Sequence, residues 1–236
     1  MKKIKKFLLT IAMTMVLGTS AFAASGFEFL FQLAGGAGAA IPNKEAKDLG
    51  FGTGLSFDAD ISAQIGYMFQ VKDGFGISLL GELGYALDSY NMFSDISSLS
   101  SMFNSFQLGL LPKFNIGFGG RHGLAIGIGG GVKIPVAGNQ SLTVTIAGDN
   151  YPTSEDAKTQ TDIALKRKDI TDLFSPSVIG YMKVTFDYYL FFTDNIGMNF
   201  GLYLGGDFAP KLKDVKYGYN SFDIGLQLGF RFGPKA

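Results

Sequence analysis

The sequence has no cysteine and no tryptophan, and only 17% of its residues are charged. The absence of cysteine excludes a disulfide framework and a lipid-modified N-terminal cysteine. After residue 24, every apolar stretch is interrupted within a few positions by Gly, Ser, Asp or Gln, so none approaches the roughly 20 residues of a transmembrane helix. If the chain enters a membrane it must do so with strands, and only a closed barrel satisfies their backbone groups there.

The first two dozen residues have the composition of an export signal. Four lysines precede an apolar run from Phe7 to Leu17, and Ala21-Phe22-Ala23 supplies the small residues that signal peptidase accepts. The run is too short to span a bilayer. We therefore predict a cleaved signal peptide over residues 1–23 and one mature domain over residues 24–236, and an uncleaved membrane anchor is the less favoured alternative.

The balance of charged residues in the predicted mature chain bears on whether it binds nucleic acid. The predicted signal contains four of the 20 basic residues, which leaves 16 basic residues against 20 acidic ones. Nucleic-acid binding requires a concentrated basic surface. We therefore expect no nucleic-acid partner.

Residues 55–70 alternate strictly between large apolar residues, such as Phe57, Ile61 and Ile65, and small or polar ones, such as Asp58, Ser62 and Gln64. This period of two predicts a strand and is incompatible with a helix. The same alternation recurs and predicts eight strands, over residues 27–40, 55–70, 75–87, 106–118, 124–134, 181–192, 196–208 and 222–232.

The connections between these strands alternate between short and long. Three are tight turns rich in Asp, Asn and Gly, at residues 71–74, 119–122 and 193–195, and four are longer, at residues 43–54, 88–105, 137–175 and 209–220. Transmembrane β-barrels have short periplasmic turns and long outer loops. We therefore predict an all-β fold, an eight-stranded antiparallel up-and-down transmembrane barrel with both ends on the periplasmic side.

The composition of the two strand faces indicates which of them meets lipid. Phenylalanine and aliphatic residues occupy one face, whereas the other carries mostly Gly, Ala and Ser with isolated charges, which suits the narrow lumen of an eight-stranded barrel. A soluble sandwich with an ordinary phenylalanine core is the alternative. Aromatic residues gather near the predicted periplasmic ends, as in an interfacial belt: Phe27, Phe29, Tyr67, Phe69, Phe75, Phe118, Phe192, Phe230 and Phe232.

The chain resembles the small outer-membrane barrel families. Examples are the OmpA transmembrane domain, OmpX, OmpW and the opacity-type adhesins. The resemblance rests on the signal peptide, the eight alternating strands, the alternation of short turns with long loops and the final Phe230-Arg231-Phe232. The resemblance covers the mature chain and implies a location in the outer membrane, with the lipid bilayer and the barrel-insertion machinery as partners. Such barrels usually end on the aromatic residue that this machinery reads, whereas four residues follow Phe232 here.

Charged residues on the lumen face must pair, because a buried unpaired charge costs several kcal/mol. We expect Glu28 to pair with Arg231 across the seam between the first and last strands, and Glu82 to face Lys113, with Lys183 at a similar height. These charges form a structural plug or, alternatively, a gate in a polar pathway. The remaining lumen charges by this alternation are Asp58, Asp60, Asp187, Asp207, Asp223 and Lys133.

The residue patterns of catalysis and cofactor binding are incomplete. The single histidine, His122, lies in a predicted periplasmic turn away from any serine or carboxylate cluster. Asp58-x-Asp60-x-Ser62 lacks the glycine and glutamate of a calcium loop. The glycines around residue 129 lack the order of a nucleotide-binding loop. We expect no catalytic site, metal or cofactor and no enzymatic activity.

The longest predicted loop, residues 137–175, is the candidate binding surface, because binding often resides in long loops on rigid scaffolds. Residues 142–146 are apolar or β-branched and are expected to extend the barrel wall. The polar part of the loop contains the candidate binding residues Asp149, Glu155, Asp156, Lys166, Arg167 and Lys168. A second expectation concerns Ile96, Leu99, Met102 and Phe103, whose spacing fits one or two helical turns at the membrane surface or over the barrel.

Three functions of different classes remain open. The first is a surface scaffold or adhesin with a plugged lumen, whose outer loops meet a host or surface ligand. The second is a narrow channel for small or apolar solutes, which the lumen-facing residues Leu30, Leu80, Leu111, Tyr181 and Tyr203 favour. The third is a lipid-modifying enzyme, which the lack of a histidine at the outer rim disfavours.

Overall fold

The computed structural model describes residues 25–146 and 157–236. The strands are β1 (Gly26–Pro42), β2 (Gly52–Lys72), β3 (Phe75–Phe93), β4 (Ser97–Leu110), β5 (Lys113–Phe118), β6 (His122–Ile146), β7 (Ala157–Lys166), β8 (Phe174–Ser175), β9 (Ile179–Phe191), β10 (Ile196–Phe208), β11 (Lys211–Leu212) and β12 (Tyr219–Phe232). The helices are α1 (Lys44–Asp48) and α2 (Arg167–Leu173). Within the described ranges, neither helix has the length and apolarity needed to cross a membrane.

Eight antiparallel members close into a ring, which confirms the predicted barrel. The order is β1, β2, β3, β4 with β5, β6, β9, β10 and β12, and β12 pairs back to β1. The strands β4 and β5 are two parts of one barrel member, since Leu110 and Lys113 keep the same register to β3 across the interruption at Leu111 and Pro112. Proline has no N–H to donate to a strand neighbour, which explains the interruption.

Alternate residues point into and out of this ring, as the sequence pattern predicts. On β4, Leu108 is 45% exposed, whereas the next inward residue, Gln107, is 1% exposed. Exposed Leu, Ile and Phe residues occur in the same way on every member of the ring. An apolar surface of this extent is suited to lipid rather than water. The protein is therefore a transmembrane barrel of the outer-membrane type, and it is located in the outer membrane.

The three short turns lie at one end of the barrel, which we call the inner end. They connect β2 to β3, β5 to β6 and β9 to β10, as predicted. Gly74, Gly119 and Gly120 in these turns have positive φ angles, which glycine adopts without steric cost. The aromatic residues of the predicted belt lie near these turns, and Phe69, Phe118, Phe192 and Phe230 are exposed on the lipid side.

At the opposite, outer end, the prediction of a long loop over residues 88–105 is wrong. Strand β3 continues to Phe93 and β4 begins at Ser97, so a tight turn joins them. The predicted helical turns are wrong as well, since Leu99, Met102 and Phe103 lie in β4. Leu99 and Phe103 are buried because both point inward in the strand. Leu99 and Phe103 are four residues apart, a spacing that places two residues on one face of a strand as well as on one face of a helix. The apolar spacing alone therefore does not distinguish the two structures.

Strand β6 extends beyond the barrel wall. It pairs with β9 up to Lys133 and then with β7 from Ala137 onward. The expectation that residues 142–146 extend the wall is therefore confirmed, and much of the predicted loop over residues 137–175 is strand and helix. The hairpin of β6 and β7 rises beyond the end of β9, and β6 remains paired with β4 up to Val144.

Apolar side chains close the outer mouth from within. The residues of this outer cap are Ala40, Tyr90, Met92, Leu99, Phe103, Leu165, Ile170, Phe174, Ile179, Ala209 and Tyr219. Arg167 fixes α2 over the cap, because its guanidinium donates to the carbonyl oxygens of Pro135 at 3.0 Å and Ser177 at 2.7 Å. Asn43 joins two outer connections by donating to the carbonyl oxygen of Lys216 at 2.8 Å. These contacts thus tie α2 to the barrel wall and link the connection after β1 to the one before β12.

Candidate functional site

The lumen contains polar and charged side chains from the inner end to the outer cap. Its buried ion pairs are Glu28 with Arg231, Lys113 with Asp187, Glu82 with Lys183, and Lys133 with both Asp88 and Asp207. Each of these side chains is at most 8% exposed. Desolvation makes such pairs weak contributors to net stability, but removing one partner leaves a costly buried charge.

Glu28 and Arg231 meet at the seam near the inner end. Arg231 Nε lies 2.7 Å from Glu28 Oε1, although the two atoms lack the alignment of a hydrogen bond. Arg231 also donates to Asn115 Oδ1 at 2.9 Å, and its guanidinium carbon lies 4.6 Å from the centre of the Tyr189 ring. Glu28 accepts a short hydrogen bond from Ser78. The structure thus brings together the two residues that the sequence paired.

Glu82 has a different partner from the one predicted. Lys183 Nζ lies 3.0 Å from Glu82 Oε2, whereas Lys113 binds Asp187 at 2.8 Å. The expectation that Glu82 faces Lys113 is wrong, because the register pairs Lys113 with Ser78, four residues closer to the inner end. The lack of a side chain at Gly127, the neighbour of Lys113 on β6, leaves room for the lysine to reach β9.

The outermost charge cluster centres on Lys133. Its ammonium lies 2.6 Å from Asp88 Oδ1 and 3.0 Å from Asp207 Oδ2, and the Tyr90 hydroxyl donates to Asp207 Oδ2 at 2.8 Å. Asp88 is absent from the predicted lumen charges, because the predicted strand ends at Leu87. Continuing the alternation from Glu82 by three further pairs of residues places Asp88 in the lumen.

Two tyrosines cross the inner surface of the wall in the same way. Tyr181, Gly131, Gly109 and Glu82 are successive neighbours on four strands, and the Tyr181 hydroxyl donates to Glu82 Oε1 at 2.8 Å. The second row consists of Tyr203, Gly225, Gly36 and Asp58, in which Tyr203 donates a short hydrogen bond to Asp58. A Cβ on Gly109 or Gly36 would overlap the tyrosine hydroxyl. In both rows the glycines therefore allow the hydroxyl to reach a carboxylate three strands away.

These contacts leave little free space in the middle of the lumen. The cavity in the middle of the lumen has a volume of about 20 Å³ and is lined by, among others, Asp58, Asp60, Lys133 and Tyr203. A cavity of this size holds a single water molecule. Leu30, Leu80, Leu111, Tyr181 and Tyr203, the residues that favoured a channel for apolar solutes, are all buried in side-chain packing.

The candidate binding residues divide into two sets. Asp149, Glu155 and Asp156 lie outside the described residues. Lys166 and Lys168 are exposed beside the outer hairpin, whereas Arg167 is committed to the contacts that hold α2. Of the candidate binding residues within the described ranges, Lys166, Arg167 and Lys168, the structure brings none to the lumen charges.

His122 lies at the inner end, where its Nδ1 is 2.5 Å from the Tyr188 hydroxyl. Among the residues of known placement, no cluster of three or more His, Cys, Asp or Glu side chains is arranged to hold a metal ion.

No protein-family model and no curated protein matches the chain. Several solved structures are similar to it. Neisserial surface protein A is 13% identical, with a TM-score of 0.41 over 88% of this chain and 99% of that one. The outer membrane protein OprG from Pseudomonas aeruginosa is 10% identical, with a TM-score of 0.39 over 90% and 98%. Ail, the attachment invasion locus protein of Yersinia pestis, is 9% identical, with a TM-score of 0.33 over 89% and 100%. These likenesses concern the fold alone.

Proposed function

We propose that the protein is a surface scaffold of the adhesin type, in which a closed barrel presents outer elements for binding. The observation that supports this proposal is the filled lumen. Buried ion pairs occupy it from Arg231 near the inner end to Lys133 near the outer end, and the outer cap covers them. A barrel without a free passage serves as an anchor, so binding falls to the segments that stand above the membrane.

Ion conductance tests the closed lumen directly. The mature protein, inserted into planar lipid bilayers, is expected to produce no stepwise currents, because buried ion pairs fill the lumen and the cavity in its middle holds only one water. Folding of the same sample is checked by its migration in SDS gels before and after boiling. Reproducible single-channel steps from folded protein would overturn the closed-barrel proposal in favour of a narrow channel.

The outer hairpin of β6 and β7 is the element to test for binding. Val144 and Thr159 are paired neighbours, and the pairing of β6 with β4 ends at Val144, so an Asn-Gly turn in place of residues 145–158 shortens the hairpin and leaves the barrel wall intact. Cells that display the full chain are expected to adhere to host cells, and cells that display the shortened chain are expected to lose this adhesion. Equal adhesion by both, at equal surface amounts, would exclude residues 145–158 as the binding element.

The charge of the same hairpin can be tested separately. Lys166 and Lys168 are exposed and are free of the contacts that fix Arg167, so replacing both with Gln removes charge without loosening α2. Reduced adhesion of this variant would assign the binding to an acidic surface ligand. Unchanged adhesion would instead leave the binding to the other residues of the hairpin.

A further inference from the structure

A third tyrosine forms a row like those of Tyr181 and Tyr203, but its row ends without a carboxylate. Tyr189 on β9 neighbours Gly123 on β6, and Gly123 neighbours Gly117 on β5. The Tyr189 ring lies across Gly123, where a Cβ would overlap the hydroxyl. The next position of the row is Gly74, whose carbonyl oxygen accepts a hydrogen bond from the Gly117 N–H at 2.9 Å. This row therefore has no side-chain acceptor where the other two have Glu82 and Asp58.

The Tyr189 hydroxyl is buried and has no hydrogen-bond partner among the described residues. The residue as a whole is only 1% exposed. A buried hydroxyl without a partner costs roughly 1–3 kcal/mol, so such groups call for an explanation. The hydroxyls of Tyr181 and Tyr203, which lie in the same lumen, each have a hydrogen-bond partner, because each donates to a carboxylate oxygen.

The Tyr189 row opens into a cavity of about 270 Å³ at the inner mouth of the barrel. Its lining includes Tyr189, Gly74 and Gly117 from the row, and Arg121, His122 and Lys235 from the inner turn and the C-terminal segment. The Ala236 carbonyl oxygen lies against Gly117 and bounds the cavity on one side. The cavity thus holds two cations, Arg121 and Lys235, beside the Tyr189 hydroxyl, together with one acceptor, the Ala236 oxygen.

The local electrostatics fit an anion. Lys235 donates to Asp194 at 2.9 Å, and Asp194 is 96% exposed. This hydrogen bond, then the charge of Lys235 and to a smaller degree that of Arg121, lower the pKa of the Asp194 carboxyl. Lys235 and Arg121 therefore stabilise the charged form of one exposed carboxylate at this mouth.

We propose that this cavity, the inner-mouth site, binds an oxyanion. One oxygen of the ligand accepts from the Tyr189 hydroxyl, and Arg121 and Lys235 neutralise its charge. The ligand is a phosphate or phosphodiester group, presented either free in the periplasm or as the headgroup of an inner-leaflet lipid. Arginine suits this role because its fork of donors matches two oxygens of one phosphate group.

The test uses the mature protein in maltoside detergent, which contains no phosphate, and measures binding of inorganic phosphate by equilibrium dialysis. Saturable binding is expected. Arg121→Gln should weaken it roughly tenfold, the loss of one charge-assisted hydrogen bond. Lys72→Gln, which removes an exposed cation at another inner turn, is the matched control and should leave binding unchanged. Absence of saturable binding, or equal binding by the Arg121 variant, would overturn the proposal.

Two further variants separate binding from a purely structural role. Asp194→Asn removes the competing carboxylate and frees Lys235, so phosphate binding should tighten about two- to fivefold. Tyr189→Phe should weaken phosphate binding without lowering resistance to urea, because the hydroxyl has no partner to lose. If Tyr189→Phe destabilises the protein and leaves phosphate binding intact, the hydroxyl has a structural role and the proposal fails.

The source of the ligand is distinguished by competition. A short-chain phosphatidylglycerol should displace phosphate at lower concentration than free phosphate does if the site takes a lipid headgroup. Weaker displacement by the lipid than by free phosphate assigns the site to a periplasmic anion. If the lipid displaces no phosphate at all, the lipid alternative is excluded.

Discussion

Replacing Arg231 with Met isolates the charge of the innermost ion pair. Arg231 is 2% exposed, and its guanidinium lies between Glu28, Asn115 and the rings of Tyr189 and Phe191. A methionine keeps the apolar contact with these rings, so the variant loses mainly the charge. Glu28 would then retain only the hydrogen bond from Ser78. We expect a loss of about 3–5 kcal/mol in the free energy of unfolding, the usual cost of an orphaned buried charge.

The double-mutant cycle measures how much of this loss depends on Glu28. Glu28→Gln combined with Arg231→Met removes both charges, and we expect it to recover much of the loss, with an interaction energy of roughly 0.5–3 kcal/mol. Reversible urea unfolding in detergent, followed by far-ultraviolet circular dichroism, provides the free energies, because the chain has no tryptophan to serve as a probe.

An exposed lysine at the inner end provides the control for this cycle. Lys72→Met changes a charge at the same end of the barrel without touching the lumen, and it should alter stability by no more than about 0.5 kcal/mol. Strictly additive effects of the two lumen substitutions would refute the pairing of Glu28 with Arg231. A large effect of Lys72→Met would instead show that the assay responds to general charge rather than to the buried pair.

The unboiled protein should migrate compactly in SDS gels and shift after boiling, because a closed hydrogen-bonded barrel resists cold detergent; identical migration would contradict the barrel. Single cysteines at Asp95 and Lys216 should react with an impermeant reagent on whole cells and those at Asp73 and Asn195 should not, and the reverse pattern would invert the orientation. Lys133→Met should destabilise the barrel more than Lys113→Met, because it orphans both Asp88 and Asp207, and equal urea midpoints would refute this. Gly109→Ala should break the contact between Tyr181 and Glu82, whereas Gly35→Ala, whose new Cβ would meet its nearest neighbour at 3.7 Å, should be tolerated; equal urea resistance would show that the glycine is not needed there.

The sequence predicts the wall of this barrel well, because a lipid face and a lumen face impose a period of two on every strand. It also predicts the pair at the seam, since Glu28 and Arg231 are inward residues near the ends of the first and last strands. Both predictions depend only on alternation and on ring closure, which are local or topological properties.

The partner of Glu82 could not be predicted in this way. Contacts across the lumen depend on the stagger of all eight strands, and an error of a few residues at one neighbour changes the partner. Lys113 lies four residues from the position opposite Glu82, as the pairing with Ser78 shows. The outer end was predicted poorly for another reason, because Asp88 and Phe103 continue strands beyond the point where the alternation of large apolar residues ends.

The glycines link the unusual composition to the closed lumen. A narrow barrel has too little room for a side chain at every inward position, yet its buried charges need partners from distant strands. Three glycines, which have no side chain, provide this room. Gly109 lies under Tyr181, Gly127 beside Lys113 and Gly225 under Tyr203, so each of these side chains can cross the strand that contains its glycine. The same device at Gly123 leads the Tyr189 hydroxyl to a cavity instead of a carboxylate. The hydroxyls of Tyr181 and Tyr203 have partners within the protein, whereas the Tyr189 hydroxyl at the inner mouth has a hydrogen bond left to donate to a ligand from outside.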